Sequence, residues 1–204
     1  LAATPVATPA ATVVATPLPT FQFLTPTPTT YTSGGGGGGG GCHVADELIT
    51  MADGSTKKIQ DLVLGDVLLS LAINGLTDEE TIYRQFDVAS NEYSDEYTSA
   101  IVNDIMIDSY SSYHNINNGA LKITFEHPVL IKTVDNRVIF KIARDIVPSD
   151  YMLNENNQWI EVTSNQLIET NEFTTWSINI EDKDVYFANG YLVHNVMNEE
   201  VIGK

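Results

Sequence analysis

The chain has a single cysteine, Cys42, so no internal disulfide can form and the fold does not depend on an oxidising compartment. Basic residues are scarce: ten Lys and Arg stand against 27 Asp and Glu, a formal charge of −17. That balance argues against nucleic acid as a partner, because binding through phosphates needs clustered Lys and Arg. No apolar run approaches the ~20 residues of a membrane span. Leu1 suggests a fragment, and with no basic n-region no signal peptide can be read there. Helical periodicity is scarce throughout. Charge is absent altogether from residues 1 to 41, which hold six of the eight prolines and eight of the fourteen glycines.

What fills that uncharged stretch is a Thr/Ala/Pro/Val repeat, with Ala-Thr-Pro recurring at Ala3, Ala7 and Ala15. Prolines this frequent block both helix and sheet ladder, so residues 1–41 are expected to be a disordered or extended tether ending in the poly-Gly linker Gly34 to Gly41. From Cys42 the pattern becomes short apolar runs of period two broken by turns, which predicts one all-β domain. Glu47 to Thr50 and Gly65 to Leu71 read as strands, with a turn at Ala52-Asp53-Gly54. Ile101 to Tyr110 and Ala120 to Thr133 are likewise strand-like, with Pro128 suggesting an edge or bulge. Tyr83 to Tyr97 has only weak periodicity and fits no element.

An internal repeat is also visible. Asp61-Leu-Val-Leu-Gly65-Asp66-Val-Leu68 aligns without gaps against Asp145-Ile-Val-Pro-Ser149-Asp150-Tyr-Met152. Two copies of one β unit predict a pseudo-two-fold fold. At the far end, Tyr186 to Val196 reads as a strand, a turn at Asn189-Gly190, and a second strand ending in His194-Asn195; Asn-Gly between alternating apolar residues is a strong hairpin signal. An Asn held in one orientation beside a proton donor can attack its own backbone carbonyl, close a succinimide and cut the chain after itself. Cys42, directly after the glycines, supplies a second reactive group at the other end of the same span.

These residues together resemble a known family. Cys42 followed by Glu47-Leu-Ile-Thr50, Asp53-Gly54, Ile59, Leu62 and Gly65-Asp66 is similar to the N-terminal block of intein and hedgehog-type Hint domains. Ile123-Thr124-Phe-Glu-His127-Pro-Val resembles their Thr-x-x-His block, and Trp176 to Asn195 their two C-terminal blocks. The length resembles a mini-intein. The resemblance implies a twisted, pseudo-symmetric all-β horseshoe over residues 42–195, with 196–204 as the start of a downstream flank.

It also implies roles. Cys42 would attack the Gly41 carbonyl and convert that peptide bond into a thioester; the chemistry needs a thiolate, and hence an adjacent base. His127 would hydrogen-bond or protonate the Gly41-Cys42 amide, and Thr124 would orient it. His194 would polarise the Asn195 carbonyl while Asn195 cyclises and releases Val196. An Asp and a His often stand ahead of that pair in the family; here the positions hold Ser177 and Asp184, and Asp184 can serve as acid or base. His43 and His114 match no role and read as surface or packing residues. Cys42, His127 and His194 would offer a metal one thiol and two imidazoles, but their spacing carries no zinc signature, and no cofactor is expected.

An intein places Cys, Ser or Thr after its terminal Asn to accept the transferred chain; Val196 has no such nucleophile. The resemblance is therefore to intein-like Hint domains of bacteria and phages that process large surface or virion proteins. A monomer acting on its own flanks is expected, its thioester hydrolysed or taken by an outside amine. The Thr/Pro/Gly stalk and acidic balance suggest a viral structural or secreted surface protein. The alternative, motivated by Ser177, Asp184 and Val196, is a Hint module whose chemistry has decayed and which serves as a structural domain. Hedgehog-type sterol transfer is weaker, because only nine residues follow Asn195. With the chain expressed between two folded tags, Val196 predicts cleaved fragments and no tag-to-tag ligated mass; a ligated product would show that an acceptor other than residue 196 exists.

Overall fold

The computed structural model describes residues 41–76, 82–181 and 183–195; the expected stalk up to Gly40 and the flank from Val196 lie outside them. The described residues form strands β1 (His43–Val44), β2 (Leu48–Thr50), β3 (Thr56–Lys58), β4 (Val67–Ile73), β5 (Asp87–Ala89), β6 (Asp95–Ile116) and β7 (Leu121–Ile123). There follow β8 (Pro128–Lys132), β9 (Arg137–Ile142), β10 (Tyr151–Leu153), β11 (Trp159–Glu161), β12 (Asn165–Ile180), β13 (Val185–Ala188) and β14 (Tyr191–His194). Short 3-10 turns at Ile59–Asp61, Ile82–Gln85 and Ala143–Asp145 are the only helical elements among the described residues. No helix there is long and apolar enough to cross a membrane. The fold is all-β, as the period-two runs predict.

Two twisted sheets carry the domain. One runs β12-β1-β7-β6-β4, with β12 also pairing β6; the other runs β11-β10-β8-β14-β13-β2-β3, with β9 against β8 and β5 against β9. The long β6–β12 ladder is rich in Ser, Thr, Tyr and Ile, residues that fit a half-exposed pleated surface. The inner strands β8, β13 and β14 are buried on both faces, so they read as continuous apolar runs. Alternate residues then feed two cores: Val129, Ile131, Tyr186 and Val193 enter one, and Leu130, Phe187 and Leu192 the other. Each such side chain removed from water contributes about 1.5–3 kcal/mol.

The repeat is present as two matching units. The turn Ile59–Asp61 leads through Gly65 to Asp66, and Ala143–Asp145 leads through Ser149 to Asp150. Asp66 accepts from Lys57 Nζ at 2.7 Å and from the Val63 amide at 2.8 Å. Asp150 accepts from Lys141 Nζ at 2.8 and 2.9 Å and from the Val147 amide at 2.9 Å. Gly65 and Ser149 both hold positive φ, 87° and 76°. The symmetry reaches upstream as well. Glu47 donates its amide to the Val44 carbonyl and accepts from the Ile59 amide; His127 donates to Thr124 and accepts from Ala143 in the same way. The segment from Val44 to Glu47 is therefore the counterpart of that from Thr124 to His127. The hairpin β13–β14 lies between the units, β13 against β2 (Ala188↔Ile49) and β14 against β8 (Val193↔Val129).

The structure also refines the strand reading. Ala120 to Thr133 is not continuous: the His127 amide closes a turn onto the Thr124 carbonyl at 3.2 Å, and Pro128 opens a new strand, where its missing N–H costs nothing. β8 is nonetheless an inner strand, not an edge. Tyr83 to Tyr97 resolves into the end of a 3-10 turn, β5 and the start of β6. Asp150, whose side chain is 4 % exposed against 17 % for Asp66, leaves the more deeply buried lysine if removed. Asp150→Ala is expected to cost about 3 kcal/mol and Asp66→Ala about 1–2 kcal/mol, read from urea midpoints. Equal losses would show that burial does not separate the two pairs.

Candidate functional site

The C-terminal hairpin sets the first half of the site. Asn189 and Gly190 both take positive φ (45° and 76°), the requirement of a tight type I′ turn, and the ladder runs from Ala188↔Tyr191 to Val185↔His194. One step beyond the ladder, the Asn195 amide donates to the Asp184 carbonyl at 2.7 Å. His194 Nδ1 lies 3.0 Å from the Asn195 carbonyl oxygen. Only the tautomer with its proton on Nδ1 can donate to that oxygen. The Asn195 side-chain Nδ2 donates to Asn179 Oδ1 at 2.8 Å, so the N–H, the carbonyl and the amide of one buried residue are all held. The His194 ring packs against Tyr83 and the edge of Phe140, and burial holds its pKa down to about 4. The imidazole is neutral at pH 7.

The second half surrounds the Gly41-Cys42 bond. The Cys42 amide donates to Thr124 Oγ1 at 2.8 Å, and the Thr124 amide donates back to the Cys42 carbonyl at 2.9 Å. The Thr124-His127 turn brings both side chains to one place, which a flat strand could not do for residues three apart. His127 is fully buried against Gly41, where a Cβ would overlap the His127 backbone; glycine is needed for that approach. Among the described residues, neither ring nitrogen of His127 makes a hydrogen bond of full geometry. Burial lowers its pKa to about 4, against a smaller opposing pull from the Gly41 backbone. A proton on His194 would lower it further, so the two halves of the site adjoin.

The Cys42 thiol is buried, and burial raises its pKa. The hydroxyls of Thr175, Ser177 and Tyr110 work the other way, and Asp108 adds to the rise. Thr175 Oγ1 is buried, with no other partner among the described residues. β12 brings Thr175 and Ser177 here by pairing with β1 (Val44↔Thr175, His43↔Trp176).

The residues that the resemblance assigns to the two bonds are thus brought together: Cys42, Thr124 and His127 around the first, His194 and Asn195 around the second. Asp184 touches Asn195 through its backbone carbonyl, and Ser177 faces the thiol. His114 lies apart, its Nδ1 2.9 Å from Asn165 Oδ1. Sequence reasoning missed Asn179, Thr175 and Tyr110, which only strand pairing brings in. It also gave no role to His43, which is fully buried: its Nε2 is 2.8 Å from the Tyr186 hydroxyl and its ring meets the His127 ring edge-on at 4.3 Å. Its position directly after Cys42 was the available signal. Among the described residues no three His, Cys, Asp or Glu side chains group as metal ligands.

No protein-family model matches the chain, and no curated protein matches it. Solved structures do. A bacterial intein-like domain from Clostridium thermocellum superposes with a TM-score of 0.57 at 21% identity, covering 76% of this chain and 98% of that one. The DnaB intein from Synechocystis sp. PCC 6803 gives 0.54 at 16% identity, with 76% and 98% covered. A variant of the Ssp DnaB mini-intein gives 0.53 at 21% identity, with 78% and 96% covered. The chain has the fold of inteins and intein-like domains, the Hint type that its motifs resemble.

Buried ionisable groups make the site sensitive to pH. Between about 6.5 and 4 the unfolded chain takes up protons that buried His127 and His194 refuse, so their contribution to stability is lost as pH falls through that window. Glu47 acts in the opposite sense. Burial raises its carboxyl pKa to about 8 although Oε1 accepts the Lys122 amide at 2.7 Å, so folding favours the proton and stability is lost as pH rises from 4.5 to 8. Glu47→Gln keeps the acceptor and removes the titration. Its stability relative to the parent is expected to grow over that range, by on the order of 3 kcal/mol at pH 8. A difference that stays flat in urea unfolding from pH 4.5 to 8 would mean that Glu47 folds ionised.

Proposed function

We propose that the domain from Cys42 to Asn195 processes its own chain, cutting at Gly41-Cys42 and at Asn195-Val196, with residues 1–41 and 196–204 as its upstream and downstream flanks. The observation that carries this reading is the His194 Nδ1 contact with the Asn195 carbonyl at 3.0 Å, in a residue whose amide nitrogen is also held. A proton on Nδ1 draws electron density from the carbonyl carbon that the Asn195 amide must attack.

At the first junction, Cys42 Sγ adds to the Gly41 carbonyl carbon, the C–N bond breaks, and the Cys42 nitrogen leaves as an amine that gains a proton. Thr124 fixes the orientation of that nitrogen through its 2.8 Å contact, and His127, packed on Gly41, would pass it the proton that the thiol gives up. The thioester has no side-chain nucleophile at Val196 to receive it, so water or an outside amine ends the reaction. Each domain acts once, on itself.

The raised thiol pKa favours a second reading, a Hint module whose chemistry has decayed and which serves as a structural domain of a surface or virion protein. Intact-mass analysis of the chain between two folded tags, with and without added thiol, separates the two. Under the self-processing reading, Cys42→Ala removes only the cut at Gly41-Cys42 and Asn195→Ala only the cut after Asn195. The thiol-dependent cut speeds up with pH through 9.0, since thiolate is still accumulating there. The cut after Asn195 holds its rate from pH 8 to 5 and changes only as His194 takes up a proton near 4. An uncut mass under every condition leaves the structural module.

A further inference from the structure

We infer that Asn179 is a positioning residue for ring closure at Asn195, holding the nucleophilic amide through its side-chain oxygen; this rests on the self-processing reading above. The contact is direct: Asn195 Nδ2 donates to Asn179 Oδ1 at 2.8 Å. Nothing in the local sequence around His194-Asn195 supplies it. Asn179 comes from the end of β12, across the sheet junction.

The backbone is shaped to deliver it. The β12–β6 ladder runs in step from Phe173↔Tyr110 to Asn179↔Asp104 and then slips, so that Ile180 pairs with Val102 and Asn103 is left without a counterpart. A bulge of this kind twists the ladder and re-aims the side chain beside it. Upstream of the slip, one face of β12 carries Thr175 and Ser177 to the Cys42 thiol. Asn179 continues that face two residues on, while Ile178 and Ile180 turn into the core. One polar strand face therefore serves both junctions, and the bulge falls where the second is reached.

The chemistry needs such a hold. A primary amide is a weak nucleophile, and a free Asn side chain spreads over several χ1 and χ2 settings, few of which aim Nδ2 at its own carbonyl carbon. An acceptor on one Nδ2 hydrogen limits that search and pushes electron density toward the nitrogen. In the step itself the Nδ2–C bond forms and the Asn195-Val196 C–N bond breaks. Nδ2 gives up one proton and the departing Val196 amine takes one up, so no outside reagent is consumed. An amide oxygen is too weak a base to carry that proton; Asn179 holds and does not titrate.

The test follows cleavage after Asn195 by mass in the tagged chain, with thiol-induced cleavage at Gly41-Cys42 followed in the same samples. Asn179→Ala is expected to slow the cut after Asn195 about tenfold relative to the cut at Cys42. Asn179→Asp keeps size and acceptor but adds a group that titrates, so the ratio of its rate to the parent's, taken at each pH, is expected to climb as the carboxyl ionises. The aspartate variant decides the matter even where the alanine variant does not fold. Asn179→Ala cutting at the parent rate, or faster, overturns the inference, the latter because the contact would then be a brake. An aspartate variant with the parent profile overturns it as well. A parent that never cuts after Asn195 overturns the self-processing reading itself, and this inference with it.

Discussion

The site depends on the burial of one hairpin. β13 and β14 lie between the two pseudo-symmetric units, paired with β2 on one side and β8 on the other, and covered on both faces. A strand pair fixed on four sides has no freedom of register, because a slip of one residue would turn Tyr186, Phe187, Leu192 and Val193 into the wrong cores. Asn195 is the residue immediately past that ladder, and its backbone inherits the rigidity through the bond to Asp184. The fixed position of Asn195 is thus a consequence of packing.

The same burial sets the electrostatics. His43, His127, His194, Cys42 and Glu47 are all removed from water, and each is pushed toward its neutral form. A dry, neutral site favours hydrogen-bond donation by imidazole over imidazolium chemistry and makes each remaining contact electrostatically strong. The two units use their equivalent positions differently. Where one has Val44 and Glu47, the other has Thr124 and His127, on the same backbone frame. The first pair is a hydrophobe and an acid that burial pushes toward its protonated form; the second supplies a hydroxyl to the Cys42 amide and an imidazole against Gly41. Duplication provides the frame, and two side-chain differences set a hydroxyl and an imidazole at the Gly41-Cys42 bond in one copy only.

Much of this was legible in the sequence because it is local. The Asn189-Gly190 turn, the period-two runs and the repeat at Asp66 and Asp150 depend on residues a few positions apart, whose backbone preferences act before any tertiary contact. Pro128 misled in part: as a residue without an N–H it pointed to an edge, yet at the first position of β8 it is tolerated in an inner strand. The run from Tyr83 to Tyr97 stayed opaque since it crosses a turn, a three-residue strand and the start of a long one, none of which spans a full period.

The sequence by itself determined the all-β class, the repeat, the hairpin that ends in His194-Asn195, and the isolation of Cys42 at the boundary of an uncharged stretch. Only the tertiary structure decided which side chains meet there. Asn179 reaches Asn195 beside a register slip, Thr175 and Ser177 reach the thiol through the β1–β12 pairing, and His43 of one sheet meets Tyr186 of the other. Contacts between distant residues are set by which strands pair and in what register. That is a property of the whole packed core, and no single stretch of the chain encodes it.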